Sequence, residues 1–204
     1  MNHFILIRSA YRDEELSRQR LALSQRTIIP CLKRQTQKTG VICLRVDRND
    51  PLLQPRIAAF ENTGFNVQTN WNLPDGPRLT TRVDDDDAIA NWFLEDTLAE
   101  TENMDPADPT VLSWPNGYVW CGRRLRQWSL PENMFISLLS ETGCVMDFKH
   151  RRTPYRISRI AQRRAWVWVR HTTNKSDLAP NHLKNPPYNV DPSTLPFAVD
   201  WGRI

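Results

Sequence analysis

Four consecutive aspartates, Asp84 to Asp87, are the residues of this sequence with the clearest capacity for chemistry. They follow residues 78–83, an alternating segment that is predicted to be a strand. Because strand side chains alternate, Asp84 and Asp86 could share one face and hold a hard divalent cation such as Mg²⁺ or Mn²⁺. Asp87 could instead cap a following helix, and the other carboxylates could simply be solvated. The cluster therefore predicts either a cation site or a capped helix start.

Charge is distributed unevenly along the 204 residues, although the net charge is only +4. Residues 84–108 contain ten acidic residues and neither Lys nor Arg, whereas residues 149–170 contain eight Lys or Arg and no acid. An acidic and a basic segment in one small protein suit a cation site that faces an anion site, as a metal-bridged diphosphate would need. They also suit two oppositely charged solvated surfaces, so charge alone leaves both interpretations open.

Composition and cysteine spacing exclude several classes of protein. A hydrophobic content of 40% with 25% charged residues is typical of a soluble domain and excludes wholesale disorder. The four cysteines show no Cys-x-x-Cys spacing, which argues against a zinc knuckle or a redox pair. The apolar run at residues 4–7 is too short for a signal peptide or a membrane span. We therefore expect a cytoplasmic protein without a membrane span.

The first half of the sequence alternates between predicted strands and predicted helices. The strands cover residues 4–7, 41–46, 65–68 and 78–83, and the helices cover residues 14–35, 50–62 and 88–102. This alternation predicts an α/β fold with a mostly parallel sheet flanked by helices. Ligands of such sheets bind beyond the carboxyl ends of the strands, where Arg8, Asp47 and the aspartates lie.

The second half has a different pattern, which predicts a small antiparallel element. Two strands are expected around an Asn116-Gly117 turn, followed by a strand at 125–128, a helix at 132–139 and a strand at 165–171. The end of the chain is rich in proline, asparagine and aspartate. We therefore expect a single Rossmann-like domain at residues 1–174 and an extended Pro-rich tail at residues 175–204.

The aspartate segment also resembles a known family. Residues 81–88, Thr-Arg-Val-Asp-Asp-Asp-Asp-Ala, match the Thr-Arg-Leu-Asp-x-Asp-Asp-Ala strand end of a rhamnosyltransferase family with a single Leu-to-Val change. Further similar elements occur in the family's order, at residues 3–8, 30–36, 114–118, 135–141 and 166–174. The first of them keeps only the arginine, Arg8, of the family's Thr-Arg-Phe-Asn. The resemblance spans roughly residues 1–174, in a chain shorter than this family leads us to expect.

The resemblance implies a glycosyltransferase-A-like fold and transfer of a sugar from a nucleoside-diphosphate donor with Mn²⁺ or Mg²⁺. It implies that Asp86 binds the cation directly, that Asp84 contacts the ribose or the cation through water, and that His171 completes the coordination. An imidazole ligand favours Mn²⁺ over Mg²⁺. The metal ligands are thus expected to be Asp84, Asp86 and His171, and the donor is expected to lie against Arg8, Asp47, Arg82, Asp84, Asp85 and Asp87.

The catalytic base and the acceptor are less closely defined. Glu141 corresponds to the glutamate of the family's Ser-Leu-x-Glu element and is the first candidate for the base, with Glu132 and Asp147 as rivals. The acceptor could be a glycan, or a modified base in DNA as for some phage enzymes, because the basic residues 149–170 could bind a nucleic-acid backbone. Two alternatives stay open: a metal-dependent nuclease or phosphoryl-transfer protein, and a non-catalytic nucleotide-sugar-binding module.

Overall fold

A computed structural model describes residues 1–121, 123–131, 133–149, 152–160, 162–171, 187–188 and 190–204. Its larger sheet has seven strands in the spatial order β10 (Arg156–Arg159), β6 (Thr110–Ser113), β9 (Ile136–Ser140), β4 (Arg78–Asp84), β1 (Asn2–Arg8), β2 (Val41–Arg45) and β3 (Asn66–Gln68). Neighbouring strands are parallel except where β9 pairs with β4 and β6. The predicted α/β fold with a mostly parallel sheet is confirmed.

The order of the strands reverses next to β1. From β1 the chain continues to β2 and β3 on one side, and it then returns to place β4 on the other side. The carboxyl ends of these strands are level, because Arg8 is in register with both Arg45 and Asp84. A crevice at such a reversal is where α/β sheets bind ligands, and the aspartates begin there.

Four helices connect the strands, and two of them replace the first predicted helix. They are α1 (Glu14–Ser24), α2 (Ile28–Lys33), α3 (Leu53–Glu61) and α4 (Phe93–Ala99). The single helix predicted for residues 14–35 is wrong, because it is divided into α1 and α2. Pro30 has no N–H to donate to the carbonyl of Arg26, and its ring would clash with that carbonyl in a continuous helix.

A second sheet has the order β5 (Ala88–Ile89), β11 (Trp166–Val169), β7 (Asn116–Cys121) and β8 (Arg124–Ser129). The central strands β11 and β7 are parallel, and both outer strands pair antiparallel. The helix predicted from residue 88 is therefore wrong in its first turns. The Ala90 N–H donates to Ala165 O at 2.9 Å, so the backbone after the aspartates pairs beside β11 before α4 begins.

The hairpin predicted around Asn116-Gly117 is also wrong. Both residues lie inside β7, and the preceding strand β6 belongs to the other sheet. Gly117 serves close packing, because a Cβ at this position would lie 2.2 Å from Cδ2 of the buried Trp166 ring. The glycine signal therefore reported a close approach within a strand and not a turn.

The helix predicted for residues 132–139 is wrong as well, although Glu132 itself lies outside the described residues. Ile136–Ser140 form β9, and every residue of this strand is buried between β4 and β6. A short apolar run is compatible with a buried helix or a buried strand. Here the position between two other strands decides for the strand.

Residues near the carboxyl terminus pack against the second sheet. Two short 3₁₀ helices, Pro192–Thr194 and Trp201–Arg203, enclose a segment in which Phe197 is buried edge-on against Tyr118. The ring of Trp201 lies 4.8 Å from that of Trp120. The boundary predicted between residues 174 and 175 lies outside the described residues and stays a prediction. Within the described part of the chain, no helix combines the length and apolarity that crossing a membrane needs.

A buried histidine links the central strands and makes the stability of the fold depend on pH. His3 is 4% exposed, and its Nε2 lies 2.8 Å from Thr81 Oγ1. Thr81 Oγ1 lies in turn 2.7 Å from Ser137 Oγ, so the contacts cross β1, β4 and β9. Burial lowers the pKa of His3 from 6.5 to about 4, because the charged ring would lose its hydration.

We predict that His3→Gln flattens the loss of stability in mild acid. The unfolded chain binds a proton at His3 near pH 6.5 and the folded chain only near pH 4, so the wild type loses stability as the pH falls between these values. The loss from this residue amounts to about 3 kcal/mol, and Gln cannot titrate. Urea unfolding at several pH values measures it. Equal slopes for the two proteins between pH 6.5 and 4 would contradict the prediction.

Candidate functional site

Three of the four aspartates are buried at the carboxyl edge of the larger sheet. Asp85, Asp86 and Asp87 are 0%, 5% and 1% exposed, whereas Asp84, the last residue of β4, is half-buried. The Asp87 N–H contacts Asp84 O at 3.4 Å, so the chain turns directly after the strand. Because strand alternation ends at Asp84, the following carboxylates meet different partners.

Asp85 is held by groups that follow β1 and by α1. Ser9 Oγ donates to Asp85 Oδ2 at 2.5 Å, and Tyr11 Oη lies 3.0 Å from both carboxylate oxygens. Arg20 Nη2 donates to Asp85 Oδ1 at 2.5 Å. The carboxylate therefore has a cation and two hydroxyls around it, which is the condition under which a charge can be buried.

Asp86 meets the same arginine and the predicted histidine. Arg20 Nη1 donates to Asp86 Oδ2 at 2.5 Å, and His171 Nε2 lies 2.8 Å from the same oxygen. Arg20 Nη1 is also 3.0 Å from His171 Nε2. The structure thus brings Asp86 and His171 together, as the family resemblance implies, and Arg20 contacts both of them.

Asp87 and Asp84 have weaker or backbone partners. Asp87 Oδ1 accepts from the Val169 N–H at 2.9 Å and ties the aspartate turn to the end of β11. Asp87 is therefore not the helix cap that the sequence allowed. Asp84 contacts Arg82 at 3.4 Å, and these two residues lie on one face of β4.

The environments of the aspartates separate their proton affinities. Burial alone would raise the pKa of Asp86, but the bond with His171 and the charge of Arg20 outweigh burial and lower this pKa below its ordinary value. Burial raises the pKa of Asp87 well above its ordinary value, and the charges of Asp86 and Asp84 raise it further. Asp86 is thus the aspartate most strongly held in its charged form.

A second buried ion pair, between Arg56 and Asp50, contacts the residues that hold Asp85. Arg56 is fully buried and donates to Asp50 Oδ2 at 2.8 Å. The same guanidinium donates to Ser9 Oγ at 3.0 Å and lies 4.9 Å from the centre of the Tyr11 ring. Because Ser9 and Tyr11 contact Asp85, Arg56 positions the groups that hold the site.

Arg8 and Asp47 lie at the same edge of the sheet as the aspartates. Arg8 is exposed at the end of β1, in register with Asp84. Asp47 follows β2 and accepts from Arg12 Nε at 2.7 Å, and this bond keeps the pKa of Asp47 below its ordinary value. The structure therefore places the residues predicted for donor binding at one edge.

Glu141 lies elsewhere. It is exposed and directly follows β9, whose last residue Ser140 pairs with Arg78 at the start of β4. Asp84 is at the other end of this seven-residue strand, and the backbone positions of its two ends are about 20 Å apart. The structure does not bring Glu141 to the aspartates, and this distance excludes it as a base acting beside them.

The rival candidates for the base do not replace Glu141. Asp147 lies in the loop after β9, where it accepts from the Cys144 N–H at 2.7 Å. Glu132 lies outside the described residues. The general base thus stays unassigned among the residues proposed from the sequence.

Among the described residues of the basic segment, two arginines have partners within the protein. Arg163 pairs with Asp96 at 3.1 Å, so the acidic and basic segments meet each other. Arg164 donates to the carbonyls of Gly117 and Trp128 and lies over the Tyr118 ring. Two of the arginines that suggested a nucleic-acid backbone are therefore engaged within the protein.

A divalent cation at this site would need several oxygen or nitrogen ligands around one point. Asp86 and His171 offer an oxygen and a nitrogen of the types that Mn²⁺ binds. Within the described ranges, however, no group of three or more His, Cys, Asp and Glu side chains is arranged to hold a metal ion. Arg20 contacts both Asp86 and His171, so the residues as arranged do not fit a cation. The Mn²⁺ or Mg²⁺ predicted at Asp84, Asp86 and His171 stays a prediction.

Several residues of the site were not foreseen from the sequence, namely Ser9, Tyr11, Arg20 and Arg56. A weak signal existed for Arg20, because Ser17 and Ser24 lie three before it and four after it on the same helical face. Both serines are buried, and a small polar face on α1 therefore carries the arginine inward. Ser9 and Tyr11 gave no signal beyond following a strand.

The fold, with the aspartates at the carboxyl edge of its larger sheet, is that of a glycosyltransferase-A-like protein. It is similar to S. aureus TarS (TM-score 0.53, 12% identity), with coverage of 83% of this chain and 37% of that one. It is equally similar to TarS residues 1–349 in complex with UDP-GlcNAc (TM-score 0.53, 12% identity), with coverage of 88% and 62%. The chain thus spans less than two thirds of either structure. No curated protein sequence matches the chain.

Sequence comparison identifies the family. Residues 65–183, more than half of the chain, match the family described as "Putative rhamnosyl transferase". The chain belongs to this family, which confirms the resemblance seen in the aspartate segment. The matched region contains β4, the aspartates and His171.

We predict that Arg56→Met strongly destabilises the protein, because it leaves Asp50 charged, buried and without its cation. Breaking a buried pair in this way costs roughly 3–5 kcal/mol. Replacing both partners, as in Arg56→Met with Asp50→Leu, should recover part of the loss. The control Arg18→Met breaks two exposed pairs, with Glu14 and Glu15, and should cost less than about 1 kcal/mol. Chemical denaturation measures all three, and a similar small cost for Arg56→Met and Arg18→Met would contradict the prediction.

Proposed function

We propose that this protein transfers a sugar from a nucleoside-diphosphate donor to a hydroxyl of a glycan acceptor. The observation that carries the proposal is the position of Asp84 to Asp87 in a member of this family: they lie at the carboxyl edge of the sheet where strand order reverses. That edge is the general ligand position of α/β sheets. The complex of TarS with UDP-GlcNAc supports a donor of the same chemical class here.

The face of the sheet that carries Asp84 also offers positive charge for a diphosphate. Arg8 is in register with Asp84, and Arg82 is two residues before it on the same strand. Arg82 Nε is buried and, among the described residues, has no hydrogen-bond partner. A planar guanidinium suits the oxygens of a phosphate, so Arg8 and Arg82 are the groups that we assign to the diphosphate.

Asp84 is the residue that we assign to the ribose. Its carboxylate is half-buried, and its contact with Arg82 is long at 3.4 Å, so its oxygens can accept from sugar hydroxyls. Asp85 and Asp87 are enclosed by protein groups and support the shape of the site. Asp47 lies at the same edge but is paired with Arg12.

The reaction breaks the bond between the sugar and the diphosphate and forms a bond between the sugar and the acceptor oxygen. The acceptor hydroxyl loses its proton to a base, and negative charge accumulates on the leaving diphosphate. Fixed positive groups directed at that charge lower the barrier. In this proposal Arg8 and Arg82 have that role. The engagement of Arg163 and Arg164 within the protein favours a glycan over DNA as the acceptor.

Nucleotide binding tests the proposal directly. UDP, GDP, dTDP and CMP are added to the wild type with Mn²⁺ or with EDTA, and thermal unfolding is recorded. A nucleotide at 100 times its dissociation constant stabilises the protein by about 2.7 kcal/mol, which raises the Tm by roughly 5–10 °C. We expect one nucleoside diphosphate to give such a shift.

Asp84→Asn should reduce this shift because it removes the acceptor assigned to the ribose, and calorimetry should show at least a tenfold loss of affinity. Asp108→Asn is the matched control, since Asp108 is an exposed acid of the same segment with a 3.9 Å ion pair. An unchanged affinity in Asp84→Asn would contradict the assignment of Asp84. The absence of a shift with every nucleotide would contradict the donor site as a whole.

A further inference from the structure

We propose that the Arg20 guanidinium occupies the cation position of this site, so that a divalent cation binds there only by displacing it. The inference deepens the proposed function by assigning a control of metal binding at the donor site. The Arg20 side chain contacts three side chains of the kinds that bind metals. These are Asp85 and Asp86, each at 2.5 Å, and His171 at 3.0 Å.

Arg20 is firmly held in this position. Besides those three contacts, its Nε donates to Tyr11 Oη at 2.8 Å, and its side chain is only 12% exposed. The backbone carbonyl of Arg20 accepts from Ser24 Oγ at 2.8 Å within α1. Contacts at both ends of the residue indicate a built arrangement and not an arginine lying on a surface.

Charge explains why a cation is needed here. Asp85 and Asp86 are adjacent in sequence, and both are buried. Two carboxylates in a poorly hydrated place repel each other and lose hydration, and a cation between them offsets both effects. The guanidinium supplies one positive charge and directs separate N–H groups to the two carboxylates. A divalent cation would instead supply two positive charges from a single point.

The guanidinium and a metal cannot use these atoms at the same time. A small divalent cation would lie about 2.1 Å from an Asp86 oxygen and from a nitrogen lone pair of His171. Arg20 Nη1 lies 2.5 Å from Asp86 Oδ2 and 3.0 Å from His171 Nε2, within the same space.

The contacts of Arg20 also change the expected ligands. The three side chains around the guanidinium are Asp85, Asp86 and His171, whereas Asp84 contacts Arg82 instead. Removal of the guanidinium would therefore take away the cation that these three side chains share. Carboxylate oxygens and an imidazole nitrogen are donor types that Mn²⁺ binds.

Titration with Mn²⁺ alone, followed by the electron paramagnetic resonance signal of free Mn²⁺, tests the proposal without any nucleotide. We expect Arg20→Met to bind Mn²⁺ at least tenfold more tightly than the wild type. Arg20→Lys keeps the charge but cannot reach both carboxylates, so it should fall between them. This variant also serves if Arg20→Met fails to fold, since an affinity tenfold above that of the wild type would then support the proposal by itself.

Arg82→Met is the matched control for charge, because it removes a nearby cation that contacts Asp84 and not the metal-ligand set. It should gain much less affinity than Arg20→Met, and adding Asp86→Asn to Arg20→Met should abolish the gain. Equal gains in Arg20→Met and Arg82→Met would overturn the proposal, as would tight binding by the wild type or no binding by either Arg20 variant. Because no nucleotide is used, these outcomes are independent of whether the donor-site proposal fails.

Discussion

The burial of carboxyl groups is the constraint on which the rest of this structure depends. Asp85, Asp86 and Asp87 are at most 5% exposed, and a charged carboxylate loses several kcal/mol of hydration when it is buried without partners. Each therefore requires groups from distant parts of the chain. Arg20 arrives from α1, Val169 from the end of β11 and His171 from just beyond it. The edge of the larger sheet, the first helix and the second sheet must therefore meet at this turn.

A second set of buried polar groups surrounds those that contact the aspartates and holds them in place. Arg56 and Asp50 form a fully buried pair, and Arg56 also holds Ser9, which donates to Asp85. A disturbance of this pair would reach Asp85 through Ser9 and through Tyr11, which both contact Arg56. In the proposed function, the donor binds a preformed site made of the aspartate turn and of Arg8 and Arg82 beside it. Few side chains then need to become ordered when the donor binds, which lowers the entropic cost of binding.

The sequence was sufficient for the parallel sheet and for the meeting of Asp86 with His171, because apolar runs mark buried strands and the family motif links two remote residues. It was insufficient where local patterns are ambiguous. Residues 136–140 are a short apolar run, and only their position between two other strands shows that they form a strand. Gly117 suggested a turn from the sequence, whereas in the structure it makes room for the Trp166 ring. Glu141 followed a motif match, yet pairing of β9 with β4 carries it to the far end of the sheet. For Arg20 the sequence held only a weak signal, the helical face that it shares with Ser17 and Ser24, and that signal does not reveal the aspartates as its partners.

The most direct test of the central claim is a crystal structure with the nucleoside diphosphate that stabilises the protein most, grown with Mn²⁺ and recorded at the manganese absorption edge. We expect nucleotide density at the carboxyl edge of β1, β2 and β4, in contact with Asp84. We also expect that, wherever an anomalous peak lies beside Asp86 and His171, the Arg20 side chain has moved away from them. Nucleotide bound elsewhere, or manganese beside Asp86 with Arg20 still in contact with both aspartates, would contradict this claim.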